Sequence, residues 1–301
     1  MSTGLRNMPT PSLFCFGLGY TGTRLAQAAI AHGWRVAGTC RDAGKAQALR
    51  TQGIQALVFD GHQSSPEVRE ALAGATHLLV SIPPEADGDP AWRLHGKTLE
   101  ARGGSLAWIG YLSTTGVYGD CGGDWIDETR TPNPATLENQ RRLEAESVWL
   151  DLGARTASPT HIFRLPGIYG PAGRSVIDAL ESGRARRILK PGQVFNRIHV
   201  DDLVTVLLAS MERPSAGRIY NVADDQPASA DTVLCHAAVL IGVEPPPAVR
   251  FEEAELSPFA RHFYAECKRL SNERIKQELG VQLRYPTYRE GLHAIAAERV
   301  P

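Results

Sequence analysis

The sequence predicts an α/β protein in which a mainly parallel, doubly wound sheet carries helices on both faces and a smaller lobe follows in the C-terminal part. Three observations carry that expectation. From Ser12 to Leu112 short apolar runs alternate with helical stretches, as in successive βαβ units. A glycine-rich turn joins the first run to the first helix. After Tyr118 the alternation gives way to loops, short pieces and a proline-rich link.

The first strand is Leu13-Phe14-Cys15-Phe16, an apolar run that stops at glycine, and Thr23 to His32 follows as a helix with one apolar face. Trp34 to Gly38 reads as a second strand, Ala43 to Gln52 as a helix ended by Gly53, and Gln55 to Phe59 as a third strand closing on Asp60. Glu67 to Ala73 is a short helix, Thr76 to Ile82 a buried strand, Pro90 to Ala101 a helix and Ser105 to Leu112 a strand. A Gly-, Asp- and Pro-containing loop, Gly119 to Pro134, precedes the charged helix Glu138 to Leu152 and a strand at Thr160 to Leu165. Arg174 to Ser182 and Val200 to Met211 read as helices, the second with Asp201 or Asp202 placed to cap it, and Arg218 to Val222 as a strand. Helices around Ala230 to Ile241 and Asn272 to Leu279 flank the Pro-rich Glu244 to Ala248. No internal repeat or low-complexity segment interrupts this plan.

Length and composition fit such a chain. Its 301 residues suffice for two domains or one large one, and 43% hydrophobic with 22% charged residues excludes disorder, collagen and coiled coil. A formal charge of −1 gives no overall attraction to nucleic acid or anionic membranes, and no apolar run approaches the roughly 20 residues of a bilayer span. Neither nucleic acid nor membrane is expected as a partner. Cys15, Cys40, Cys121, Cys235 and Cys267 are odd in number and too far apart for a CxxC clamp or a disulfide framework. No metal site is expected, and a reducing cytoplasm is the simplest location. Residues 1–11 lack the apolar core of a signal peptide and read as a flexible tail.

Gly17-Leu18-Gly19-Tyr20-Thr21-Gly22 is a G-x-G-x-x-G run in the context that gives it meaning, a strand before and a helix after. Gly17 permits the sharp turn, Gly19 lets backbone approach a pyrophosphate, and Gly22 allows close helix packing while helix N–H groups face the anion. At the end of the second strand, NAD-selective sites place an acid on the ribose 2′-OH. This chain has Thr39-Cys40-Arg41, with Arg41 24 residues after the first glycine, and a guanidinium there suits a 2′-phosphate. NADP(H) is therefore the preferred cofactor, with NAD(H) possible; a solvated Arg41–Asp42 pair is the alternative. Asp60 is placed to accept from the adenine amino group or to serve only as a turn residue.

Four further landmarks stand in order after the glycine turn: Ser113-Thr114-Thr115-Gly116-Val117-Tyr118-Gly119, Arg164-Leu165-Pro166-Gly167-Ile168-Tyr169-Gly170-Pro171, Ile198-His199-Val200-Asp201-Asp202-Leu203 and Ile219-Tyr220-Asn221-Val222. With them the chain resembles the extended short-chain dehydrogenase/reductase superfamily, of the NAD-dependent epimerase/dehydratase type, over roughly residues 12 to 295. The resemblance implies a Rossmann domain at 12–165, with 198–224 returning to it, and a smaller substrate lobe from 166–197 and 225–301. It also implies that Leu18, Tyr20, Thr21, Cys40 and Ser81, with Pro166 and Ile168, border the dinucleotide beside the three glycines.

In that superfamily hydride chemistry uses a Ser or Thr after the fifth strand and a Tyr-x-x-x-Lys on the next helix, whose Lys lowers the Tyr pKa. Thr114 matches the first position. Aligning Arg142-Leu143-Glu144-Ala145-Glu146 with the usual Lys-x-x-Ala-Glu puts Arg142 in the Lys place and Glu138 in the Tyr place, and no tyrosine lies between Tyr118 and Tyr169. The chain thus resembles an atypical member without the standard dyad. Thr114, Glu138 and Arg142 are the candidate catalytic residues, although an (i, i+4) ion pair on a helix face explains the latter two equally. Tyr118 and Tyr169 are open to a catalytic or a packing role, His199 to a structural one. Relatives that act on nucleotide sugars usually carry Arg four residues before the His of Ile-His-Val; Phe195 stands there in this chain. Arg184, Arg186, Arg187 and Lys190 form either an anion site or a solvated helix end. Three functions stay open: an NADP(H)-binding oxidoreductase or epimerase-like enzyme with a rearranged acid–base set, a non-catalytic dinucleotide-responsive protein, and a nucleotide-sugar epimerase or dehydratase. The substrate is an unidentified small molecule, and a homodimer through the Glu138 to Leu152 helix is open.

Overall fold

The computed structural model describes residues 10–299, the side chain of Phe259 excepted. Most of the expected tail, residues 1–9, lies outside that range. The first part of the chain folds as β1 (Ser12–Phe16), α1 (Tyr20–Ala31), β2 (Arg35–Cys40), α2 (Ala43–Arg50), β3 (Gln55–Val58), α3 (Pro66–Ala73), β4 (His77–Val80), α4 (Pro90–Ala101) and β5 (Trp108–Thr114). The middle holds β6 (Trp125–Ile126), α5 (Leu137–Thr156), β7 (Thr160–Leu165), β8 (Gly167–Tyr169), α6 (Val176–Glu181), β9 (Arg187–Leu189), β10 (Arg197–His199), α7 (Val200–Glu212) and β11 (Arg218–Asn221). The last part holds α8 (Ala230–Leu240), β12 (Ala248–Arg250), α9 (Pro258–Phe263), β13 (Arg269–Leu270), α10 (Glu273–Leu279) and α11 (Tyr288–Ala297).

One seven-stranded sheet has the order β11-β7-β5-β4-β1-β2-β3. The pairs β1–β2, β1–β4, β2–β3 and β4–β5 are parallel. Strand order reverses between β1 and β4, and open α/β sheets bind ligands at the carboxyl ends of the strands flanking such a switch point. β1 shows why the sequence builds a central strand: Leu13 to Phe16 are all fully buried, as a strand covered on both faces requires. This is the expected Rossmann-type architecture. Among the described residues no helix is long and apolar enough to cross a membrane.

By backbone contact the chain divides into two compact units. One comprises the chain up to Leu112 with 145–161 and 214–218; the other comprises 113–144, 162–213 and the chain from Ile219 onward. In the first unit Phe14, Phe16, Phe59 and His95 form an aromatic cluster with ring centroids 4.9 to 6.2 Å apart. The buried Trp149, on the α5 segment belonging to this unit, lies against Trp92 and Tyr111 and donates its indole N–H to Asp89 Oδ2 at 3.0 Å.

The second unit has two apolar clusters, one around Tyr169, Ile177, Val233 and Leu292, the other around Val117, Tyr118, Ile126 and Leu270. Its short parallel pairs β8–β10, β9–β12 and β6–β13 were not anticipated from sequence, nor were α9 and α11. Strands of two or three residues are fixed by distant partners rather than by a local pattern. The cap of α7 also differs from expectation. His199 takes that place, its Nδ1 accepting from the Asp201 N–H at 3.3 Å, because Asp202 is committed elsewhere: it accepts the N–H groups of Arg284 and Tyr285 at 2.7 and 2.9 Å.

Asp224, in the same unit, is 1% exposed, and burial pushes its carboxyl up to about 7. The folded chain therefore holds this proton to a higher pH than the unfolded chain, and stability is lost as pH rises from the ordinary carboxylate range to about 7. Asp224→Asn preserves an acceptor for the Gln226 N–H. Its stability relative to the parent is expected to rise on the order of 1–3 kcal/mol between pH 4.5 and pH 8 in urea titrations. A pH-independent difference contradicts this.

Candidate functional site

The glycine turn sits between β1 and α1 and is held from two strands. Thr39 on β2 accepts the Gly17 N–H on Oγ1 at 3.1 Å and the Leu18 N–H on its carbonyl at 2.6 Å. Just past β4, the Ser81 hydroxyl donates to the Gly17 carbonyl at 2.8 Å. Gly17 has φ of +100°, a conformation costly for other residues. A Cβ on Gly22 would lie 2.2 Å from the Gly17 oxygen, so helix and turn meet only because that side chain is absent. Gly19 differs: a Cβ there would meet nothing within 4 Å and would project into open space. No side chain caps α1, and its first turn carries no acid. Bare backbone at Gly19 and an uncapped helix start are what a pyrophosphate needs, so these residues fit a dinucleotide.

A cavity of about 370 Å³ opens beside this turn. Of the expected cofactor residues, Gly17, Leu18 and Gly19 line it, as do Cys40 and Arg41 at the end of β2 and Asp60 and Ser81 at the ends of β3 and β4. Tyr20, Thr21 and Gly22 form the first turn of α1 and do not line it. Asp42 caps α2 by accepting the Lys45 N–H at 2.6 Å, and no ion pair ties Arg41 to it among the described residues. Arg41 is exposed, and Lys45 lines the same cavity, a second cation that sequence reading passed over. Asp60 accepts the His62 N–H at 2.9 Å, a bond that lowers its carboxyl pKa; the turn role and cavity-lining position coexist.

The second unit encloses a larger cavity of about 580 Å³. Thr114, Glu138 and Pro166 line it; Arg142 and Ile168 do not. Arg142 is half-buried on α5, and Ile168 pairs with Ile198 between β8 and β10. Thr114 ends β5, and its Oγ1 accepts the Gly116 N–H at 3.1 Å, which leaves the hydroxyl proton for another acceptor. Asn139, also in the lining, fits because residue 116 is glycine: a Cβ there would lie 2.5 Å from its amide nitrogen. Leu165, Val194 and Phe195 supply apolar wall, and no arginine is among the lining residues.

The two candidate tyrosines lie elsewhere. Tyr118 is 1% exposed, donates its hydroxyl to Asn221 Oδ1 at 2.8 Å and has Arg164 4.7 Å from its ring. Tyr169 is buried against His199, and burial pushes both phenols up in pKa. His199 is 2% exposed between Tyr169 and Tyr285. The basic cluster is dispersed by tethers: Arg187 pairs with Asp231 at 2.5 Å, Arg186 donates to the Glu255 carbonyl at 2.9 Å, and Lys190 donates to Gln193 Oε1 at 3.0 Å.

Three titratable lining residues escaped the sequence reading: His262, Glu266 and Lys268. Lys268 Nζ lies 2.6 Å from Glu266 Oε2, and His262 Nε2 lies 3.4 Å from Glu266 Oε1. No local signal marks them, since the spacing is irregular and the segment is shaped by contacts from Gln193, Asn196 and Asp120.

The sequence model of the NAD dependent epimerase/dehydratase family matches residues 105–223. A solved structure of a functionally unknown conserved protein from Silicibacter pomeroyi DSS is 46% identical, with a TM-score of 0.87 over 96% of this chain and 99% of that one. Protein YeeZ of Escherichia coli (strain K12) is 27% identical over 289 residues, 90% of this chain and 94% of its own. A 3-diazoavenalumate denitrifying reductase of Streptomyces sp is 28% identical over 305 residues, covering 91% of this chain and 96% of its own.

Proposed function

Because the chain belongs to the NAD-dependent epimerase/dehydratase family, of the extended short-chain dehydrogenase/reductase type, we propose that it is an NADP(H)-dependent oxidoreductase acting on a small uncharged carbonyl compound or alcohol. The observation that carries this reading is the cavity around Thr114. It combines a hydroxyl free to donate, a row of titratable groups and apolar wall, within the size range of small-molecule sites. Its volume suits a small ligand, and its only lysine, Lys268, is neutralised by Glu266, so nothing in the lining grips a diphosphate. Phe195 occupies the wall near where nucleotide-sugar enzymes of the family carry arginine, which weighs against that substrate class. The Streptomyces relative, named a reductase, supports hydride transfer as the reaction.

Arg41 and Lys45, lining one cavity with Asp42 occupied as a helix cap, supply positive charge for a 2′-phosphate. The nicotinamide cofactor would supply or accept the hydride; the chain's own part is to hold its backbone at Gly19 and to set a substrate oxygen against the Thr114 hydroxyl. Calorimetric titration with NADP⁺, NADPH, NAD⁺ and NADH tests the cofactor assignment. The phosphorylated forms are expected to bind more tightly, and Arg41→Asp to cut that preference by about 10- to 100-fold, the effect of losing a charge-assisted contact and adding repulsion. An unchanged ratio rejects the Arg41 role, and no binding of any form rejects the oxidoreductase reading.

A further inference from the structure

On α5 no tyrosine is available to exchange a proton with substrate, and Tyr118 and Tyr169 do not line the substrate cavity. Thr114 can donate a hydrogen bond but does not release its proton near neutral pH. Glu138 is solvent-exposed, and Lys268 is tied to Glu266. Of the lining residues, His262 is the one whose side chain carries one nitrogen that donates and one that accepts.

We propose that His262 is the acid–base group of this cavity, with Glu266 and Lys268 as its positioning residues. The inference rests on the oxidoreductase reading above and supplies the proton partner that reading lacks. His262 Nε2 and Glu266 Oε1 are both shielded from solvent, stand 3.4 Å apart, and have no hydrogen-bond partner among the described residues. A contact of that length does not exclude an acid–base pair, because such bonds commonly tighten only when substrate is bound. With Nε2 turned toward Glu266, the other ring nitrogen is left for the substrate. Lys268 Nζ, 2.6 Å from Glu266 Oε2, pairs with that carboxylate and orients it; the two side chains are only 8% and 12% exposed. Burying such a pair carries a desolvation cost that the attraction between the two charges has to offset.

The segment is also pre-organised. Gln193 Nε2 donates to the Glu266 carbonyl at 2.7 Å, and Asn196 Nδ2 to the Lys268 carbonyl at 2.9 Å. Asn196 Oδ1 accepts the Leu270 N–H at 2.9 Å, and Asp120 Oδ1 the Cys267 N–H at 2.7 Å. Four side-chain bonds across five residues fix the backbone that carries Glu266 and Lys268, which is how a functional geometry is kept rigid.

In the reducing direction the nicotinamide, when bound, would supply the hydride for the carbonyl carbon, and the π pair of the C=O would move onto oxygen. That oxygen takes the Nδ1 proton of the His262 imidazolium while Thr114 donates a hydrogen bond to it. The ring is left neutral, with Nε2–H toward Glu266, and regains a proton from solvent. Alcohol oxidation follows the same steps in reverse.

The test uses the full chain with NADPH and a fixed panel of benzaldehyde, cinnamaldehyde, acetophenone and cyclohexanone, reading the loss of nicotinamide absorbance. Wild type is expected to turn over at least one of them. His262→Ala is expected to lower kcat by about 10²- to 10⁴-fold with KM within about threefold, and added imidazole to restore at least about tenfold of the loss. His262→Gln, closer in size, guards against misfolding and is expected to show the same loss of kcat without unfolding in a thermal melt. If wild type turns over and either His262 variant keeps kcat within about threefold, the His262 role is wrong while the oxidoreductase reading stands. A loss that imidazole does not relieve assigns His262 to structure and likewise overturns the proposal. No NADPH consumption by wild type with any panel member removes the reading and this inference together.

Discussion

Alanine at position 22 is expected to destabilise the protein by about 2–4 kcal/mol and to weaken dinucleotide binding by roughly a hundredfold. The added Cβ would lie 2.2 Å from the Gly17 carbonyl oxygen. That oxygen cannot retreat, because Ser81 donates to it at 2.8 Å and Thr39 holds the Gly17 N–H at 3.1 Å. Better helix propensity returns only about 1 kcal/mol. A thermal melt should fall by about 4–8 °C, at about 2 °C per kcal/mol for a chain of this size. Gly19→Ala separates the two effects. Its Cβ meets no protein atom and its φ of −76° suits alanine, so the melt is expected to hold while calorimetry shows the same loss of binding. Equal melts and equal affinities for all three proteins would remove the steric account of the turn.

Asp89→Ala is expected to cost about 3 kcal/mol, a large effect for one side chain at a helix start. The residue is 5% exposed and does two jobs: Oδ1 accepts the Ala91 and Trp92 N–H groups at 2.8 and 3.1 Å, capping α4, and Oδ2 accepts the Trp149 indole N–H at 3.0 Å. Loss of the cap costs about 0.5–2 kcal/mol, and a buried indole donor without a partner about 1–3 kcal/mol. Repeating Asp89→Ala in a Trp149→Phe background, where no indole donor is left to orphan, should recover the second part. Strict additivity in that double-mutant cycle, measured by urea titration, would show that the indole bond contributes nothing.

These two sites mark how far sequence reading reaches. The glycine turn was legible because its signal is local: the G-x-G-x-x-G spacing lies between an apolar strand and an amphipathic helix, and the structure uses it as expected, with Gly17 at a φ of +100° and Gly22 packed where no Cβ fits. The strand and helix alternation up to β5 was legible for the same reason, with boundaries shifted by a few residues. α1 starts at Tyr20 rather than Thr23 because Gly22 packs inside its first turn, and β5 starts at Trp108 rather than Ser105 because a 3₁₀ turn occupies Gly103–Ser105. Of the larger cavity, Thr114, Glu138, Pro166 and Phe195 were singled out from sequence. His262, Glu266 and Lys268 belong to a stretch whose shape comes from Gln193, Asn196 and Asp120, up to 147 residues away in sequence, and no periodicity records such pairings. Asp202 failed as a helix cap for the same reason, since its partners Arg284 and Tyr285 lie 82 and 83 residues on.

The two compact units are interleaved along the chain, the polypeptide passing from one to the other after Leu112, Glu144, His161, Arg213 and Arg218. Neither unit is therefore a contiguous gene segment. A protease that nicks any one connection leaves the others intact, so limited digestion should yield fragments that stay associated until denatured. A chain cut short near residue 165 would lack β11, the outermost strand of the sheet, and the return through 214–218. Ribosomal synthesis meets the same constraint: strands β1 to β5 can pair with one another as soon as they emerge, but β7 gains its outer neighbour β11 only after more than two thirds of the chain has been made.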